Sequence, residues 1–121
     1  MYNGEQLLKQ LVNLAAKANQ GKICVGSETL ALSTSVKRLA SIPVGATSAD
    51  MTLECAAGST APNVGARYSL SSTAPSATIS AGGMPIGDYD TIEVSHESNL
   101  AAFQIISADA VTKYLKIIYY K

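Results

Sequence analysis

The chain has 121 residues, 47% of them hydrophobic and only 15% charged, with nine basic residues balancing nine acidic ones. One domain with a modest core fits this length. The charge balance argues against nucleic acid as a partner, since there is no Lys/Arg cluster beyond Lys37-Arg38, and no run reaches the roughly 18 apolar residues of a membrane span.

The first segment predicts a helix. Asn3 stands as N-cap, Glu5 favours the positive helix start, and Gly21 is a natural stop. Leu7, Leu11, Leu14 and Ala18 follow the spacing of a coiled-coil seam, and this stripe is the candidate interface. Two heptads do not specify a coiled coil alone. The stripe packs either on its own domain or on a partner or copies of itself. The segment has no basic start and no long apolar run, so it does not read as a signal peptide. Residues 1–21 are expected as a helical attachment or oligomerisation segment, and 22–121 as a β domain.

Beyond Gly21 the period changes. β-rich runs fall at Lys22–Val25, Thr29–Leu32, Val36–Ile42, Asp50–Ala56, Ala66–Leu70, Thr91–Ser95, Leu100–Ser107 and Tyr114–Tyr120, separated by Gly, Pro, Asn and Asp turns. Alternation places Met51, Leu53 and Cys55 opposite Thr52 and Glu54, and Leu115, Ile117 and Tyr119 opposite Tyr114, Lys116, Ile118 and Tyr120. The expected fold is mostly β: a single antiparallel β-sandwich, jelly-roll or Ig-like, of about seven or eight strands, with an N-terminal amphipathic α-helix. The stretch from Ser69 to Gly83 is low in complexity, and a structured crossover anchored by Ile79 and Met84 is favoured over a flexible loop. Cys24 and Cys55 sit in apolar contexts and read as buried free thiols, with a single bridge as the alternative.

The search for chemistry gives no catalytic constellation. His96-Glu97-Ser98 are adjacent, and adjacent strand side chains point to opposite faces, so they read as a polar turn between strands. Two Cys and one His do not make a zinc motif. The Gly87-Asp88-Tyr89-Asp90 stretch lacks the ligand spacing of a calcium loop and reads as a turn. Gly82-Gly83 is followed by Met-Pro, not by the Lys-Ser/Thr of a phosphate loop. No cofactor and no metal is expected.

An ordered set of pieces carries a resemblance. These are Ile42-Pro43-Val44-Gly45-Ala46, Ala66-Arg67-Tyr68-Ser69-Leu70, Ser72-Thr73-Ala74-Pro75-Ser76-Ala77-Thr78, Met84-Pro85-Ile86-Gly87-Asp88, Asn99-Leu100-Ala101-Ala102-Phe103-Gln104-Ile105-Ile106 and Lys116-Ile117-Ile118-Tyr119-Tyr120. In this order the chain resembles short proteins encoded among the virion structural genes of tailed bacteriophages. The departure is Ser71-Ser72, where that group has Asp-Gly before Thr-Ala-Pro, and the N-terminal helix lies outside the resemblance. The Arg67-Tyr68 piece alone also looks like a hairpin of fibronectin-III-like modules.

The resemblance implies a non-catalytic virion component: a capsid decoration, head-fibre or tail accessory protein. It would be made in the host bacterial cytoplasm and bind capsid, portal or tail neighbours in many copies. A homo-oligomer is expected, with a trimer as the working guess, and neither nucleic acid nor membrane as partner. The alternative is a glycan- or receptor-binding module, with Tyr2, Tyr89 and Tyr119-Tyr120 as the aromatic candidates. The motif residues Arg67, Tyr68, Pro75 and Asp88 are expected to be structural. Tyr68 would pack under the Thr-Ala-Pro loop, and Arg67 would face outward or pair with an acid such as Asp88.

Overall fold

The computed structural model describes residues 4–9, 22–55, 64–71, 73–77 and 82–121. Residues 4–9 form a helical segment, α1, on which Leu7 and Leu8 are exposed. The strands are β1 (Cys24–Leu32), β2 (Lys37–Arg38), β3 (Ser48–Cys55), β4 (Ala66–Ser69), β5 (Met84–Ile86), β6 (Thr91–Ser95), β7 (Gln104–Ser107) and β8 (Lys113–Tyr120), with a short helix α2 (Glu97–Ala102) between β6 and β7.

Two antiparallel four-stranded sheets form, in the orders β1-β8-β3-β6 and β2-β7-β4-β5. The pairings nest: β1 with β8, β2 with β7, β3 with β6, and β4 with β5. A single long antiparallel ribbon, doubled back at β4–β5 and rolled up, produces this set. Rolling adds the lateral contacts of β3 with β8 and of β4 with β7. The wrap is that of a jelly roll.

Period-2 alternation decides what each strand buries. From β3 come Ala49, Met51 and Leu53, and from β8 Leu115, Ile117 and Tyr119, all essentially inaccessible. Ala66, Ile86 and Ile105 of the second sheet, with Phe103, close the core from the other side. Each fully buried Leu or Ile side chain contributes roughly 1.5–3 kcal/mol.

Several boundaries differ from the sequence expectation. The expected runs Lys22–Val25 and Thr29–Leu32 merge into the one strand Cys24–Leu32, which leaves out Lys22 and Ile23 and has a bulge between Cys24 and Gly26. The run Val36–Ile42 contracts to β2, because the backbone N–H groups of Ala40 and Ser41 donate to the Glu28 carboxylate instead of a ladder. Leu100–Ser107 divides into the end of α2 and β7. Met84–Ile86, which falls between the expected strands, is an edge strand, a position that tolerates Pro85.

Candidate interaction surfaces

Arg67 and Tyr68 point to opposite faces of β4, as adjacent strand residues must. Tyr68 turns inward and stacks on Phe103, with ring centroids 5.9 Å apart and planes at 22°. It is Arg67, not Tyr68, that lies beside the Thr-Ala-Pro loop. A Cβ built on Gly83 would come within 3.0 Å of both Arg67 Cβ and Pro75 Cβ, so Gly83 lets the two segments close around this side chain. Gly83 also has φ +95°, which a β-carbon disfavours. Arg67 is only 8% exposed and its guanidinium donates to the carbonyl of Gly83 at 3.3 Å. This corrects the expectation of an outward or acid-paired arginine. Its Nε has no hydrogen-bond partner among the described residues.

Asp88 is engaged elsewhere: its carboxylate accepts from the Cys55 backbone N–H at 2.9 Å. Of the two expected crossover anchors, Met84 is not one. Met84 is exposed, and Ile79 lies outside the described residues. Buried Pro75 holds the segment instead, together with buried Gln104, whose amide donates to the Ser71 carbonyl at 3.2 Å.

Of the helical stripe, Leu7 is described and exposed, while Leu11, Leu14 and Ala18 lie outside the described residues. Both cysteines are free. Cys24 is exposed, against the expectation of burial, and Cys55 is half-buried. Burial and then the charge of Asp88 push the Cys55 thiol up, away from the reactive thiolate form.

His96 caps α2. Its Nδ1 accepts from the Ser98 backbone N–H at 3.1 Å, and its own N–H donates to the Thr47 carbonyl. The cap requires φ 80° at His96. Asp90 accepts from the Gly87 N–H, and Glu93 is paired with Lys22 at 2.5 Å. Among the described residues, no three His, Cys, Asp or Glu side chains gather as a metal-ligand set. No described helix is long and apolar enough to cross a membrane.

Two buried polar groups went unread in the sequence. Lys113 is 0% exposed, and its ammonium donates to Ser107 Oγ at 2.8 Å and to Asp109 Oδ1 at 2.6 Å. It opens β8 in phase with Leu115, Ile117 and Tyr119, and that phase was the available signal. The Asp109 carboxyl is held below its ordinary pKa, first by the hydrogen bond from Lys113 and then by the Val111 N–H. A cleft of about 240 Å³ beside it is lined by Leu32, Ser33, Thr34, Asp109, Val111 and Thr112, among others. At the other end of the core, Glu28 accepts from Tyr119 Oη at 2.7 Å as well as from Ala40 and Ser41. Burial and this carboxylate raise the Tyr119 phenol far above its ordinary range.

The outer surfaces of the two sheets differ. Next to the second sheet lie Pro75 and Ser71, as described. The first sheet presents Ser27, Thr29 and Ala31 from β1, Tyr114, Lys116 and Ile118 from β8, and Thr91, Glu93 and Ser95 from β6, all exposed. Among exposed apolar residues, Val44 is completely open at 102% and Tyr89 is 71% exposed. Comparison with protein-family models, with curated proteins and with solved structures found no match.

Proposed function

We propose that the chain is a non-catalytic structural component of a tailed-bacteriophage virion. It would be held in many copies against capsid, connector or tail neighbours as a decoration, head-fibre or accessory protein. The observation that carries this reading is the nested pairing of eight strands into a jelly roll, an architecture used for viral capsid domains. The surface adds to it. Val44, Ile23, Met84, Leu8 and Ile118 are all exposed, on a chain with few charges to keep copies apart. The ordered motif set from Ile42 to Tyr120 supplies the phage context.

The test is a mass-spectrometric count of the chain in purified particles of the phage whose genome encodes it. A fixed stoichiometry with the major capsid or tail protein is the expected result. Absence from particles that carry their other structural proteins overturns the proposal.

A second reading, a recognition module, is favoured by Tyr89. Its backbone has φ 62°, unusual for a non-glycine residue, and its ring is exposed. The turn is braced on every side: Tyr89 N–H donates to the Leu53 carbonyl at 2.7 Å, Leu53 N–H to the Asp90 carbonyl, and Gly87 N–H to the Asp90 carboxylate. An aromatic ring on a rigid turn binds with little entropic cost. Jelly rolls also serve as lectin domains. Loss of host-cell or glycan binding in Tyr89→Ala, with the fold intact, is the expected result for this reading. A chain that binds no glycan and no host cell before mutation removes it.

A further inference from the structure

Open strand edges are templates for pairing, and sandwiches blunt them with short strands, charges or proline. Three of the four edges here are blunted. β2 has two residues, Lys37 and Arg38. β5 has three, with Pro85 at its centre. β6 has five and carries Glu93 at its centre. The fourth, β1, is the least blunted: it has nine residues, pairs only with β8 and contains no Lys, Arg or Pro, and its bulge at Cys24–Gly26 and its one inward charge, Glu28, leave Thr29–Leu32 without either device. Among the described residues no strand lies beyond it.

Lys22 and Ile23, the described residues that lead into β1, do not run along that edge. Lys22 reaches over the Tyr120 ring to Glu93 on β6, the opposite edge strand, and the Lys121 N–H binds the Ile23 carbonyl. The bulge between Cys24 and Gly26 leaves Gly26–Leu32 as the regular part of β1, with Thr29 at its midpoint.

We infer that the outer edge of β1 pairs antiparallel with β1 of a second copy, about a two-fold axis at Thr29, joining two four-stranded sheets into one of eight. A two-fold makes the same patch meet itself, so self-complementarity is the requirement. At this register Thr29 faces Thr29 of the copy, Ser27 faces Ala31, and Glu28 faces Leu30. No like charges meet, and threonine pairs stabilise such ladders. Glu28, the only charged residue of β1, points inward and is already bonded to Ala40, Ser41 and Tyr119. A register centred on Glu28 would oppose two carboxylates and is disfavoured for that reason.

This inference rests on the self-association part of the functional proposal and not on its virion part. Its test therefore uses the purified full chain without particles. Sedimentation velocity should show a dimer. Thr29→Lys sets two ammonium groups face to face on an exposed position, and should weaken the dimer by about tenfold or more. A second measurement does not depend on how that variant folds. In a Cys24→Ser chain, Thr29→Cys should form a covalent dimer on mild oxidation, since directly opposed strand residues lie within disulfide reach. Thr52→Cys, on the same outward face but interior to the sheet, should not. A wild-type chain that stays monomeric or sediments as a trimer, a dimer indifferent to Thr29→Lys, or a Thr29→Cys chain that does not cross-link overturns the inference. Absence of the chain from virions would leave it standing and remove only the particle assignment.

Discussion

Lys113 allows a prediction in which the two partners of one ion pair behave unequally. Its ammonium is fully buried, whereas the side chain of Asp109 is 40% exposed. Deleting the carboxylate leaves a buried cation with Ser107 as its remaining partner. Breaking a fully buried pair in this way costs about 3–5 kcal/mol, and the partial exposure of Asp109 brings the expectation for Asp109→Ala to about 2–3 kcal/mol. Replacing the cation removes the desolvation problem itself. Lys113→Met keeps the unbranched stem in the apolar row of Leu115 and Ile117, and Asp109 turns to water, so the expected cost is about 1 kcal/mol or less. The double variant should resemble Lys113→Met, not the sum, because the pair shares one interaction. Urea unfolding followed by circular dichroism reads all three, with an unchanged m-value as the check on two-state behaviour. The reasoning also fixes a pH dependence. The folded pKa of Asp109 lies below its unfolded value, so its contribution is present above the unfolded pKa and is lost as pH falls through the folded one. The wild-type chain should lose this stability below about pH 4, and Asp109→Ala should lack that component. A Lys113→Met chain less stable than Asp109→Ala would refute the account.

Tyr119→Phe removes a buried hydrogen bond to a carboxylate and should cost about 1.5–3 kcal/mol. Because the folded pKa of Tyr119 is raised, the wild type holds its full stability below the unfolded value and should lose it as pH rises above about 10, a loss that Tyr119→Phe should not show in alkaline thermal melts. Gly65→Ala places a methyl 2.6 Å from Leu53 Cδ2 in the core and should destabilise by about 1–3 kcal/mol, read by the denaturation midpoint. Tyr89→Gly relieves the positive φ and should leave the chain as stable as wild type or more stable by up to about 1 kcal/mol, measured by the melting temperature. Stability gained together with recognition lost would place the strain in the service of binding.

The alternating strands were legible because alternation, burial and pairing agree in them. Thr91–Ser95 is observed as expected, and the phase of β3 and β8 assigns their core residues correctly. What was missed depended on distant partners. Nothing local in Ala40-Ser41 says that a carboxylate twelve residues upstream will take their N–H groups from the ladder. Likewise Leu100-Ala101-Ala102, good helix formers, were read as the start of a longer strand run, and it is the His96 ring and Thr47 carbonyl that set the start of α2. Pro85 hid an edge strand, since proline argues for a turn unless the edge position is known. Arg67 was placed outward by its charge, correctly as to the sheet face. Covering that face needed the crossover, whose packing the low-complexity sequence does not reveal.

The unequal treatment of the two sheets bears on where neighbours attach. The chain covers part of the outer face of the second sheet itself, with Pro75 and Gly83 against Arg67 and with Ser71 on Gln104. It also ends that sheet in its two shortest strands, β2 and β5. On the first sheet it leaves β8 open on its outward side, with Tyr114 and Ile118 exposed beside the Thr52–Thr91 hydroxyl pair. The longest edge strand, β1, belongs to this same sheet. If β1 pairs across a two-fold, the uncovered faces of both copies become one continuous Ser-, Thr- and Tyr-rich surface, twice as wide as either alone. A surface of that kind presents hydroxyls and flat rings beside the charges of Asp50, Glu54, Glu93 and Lys116, and in the proposed particle it would meet a neighbour as a broad patch instead of through a single point of attachment. The pairing edge and the docking face would then be two properties of one sheet, so Thr29→Lys should reduce particle occupancy as well as dimerisation, whereas a substitution at Arg67 on the other sheet should affect stability alone.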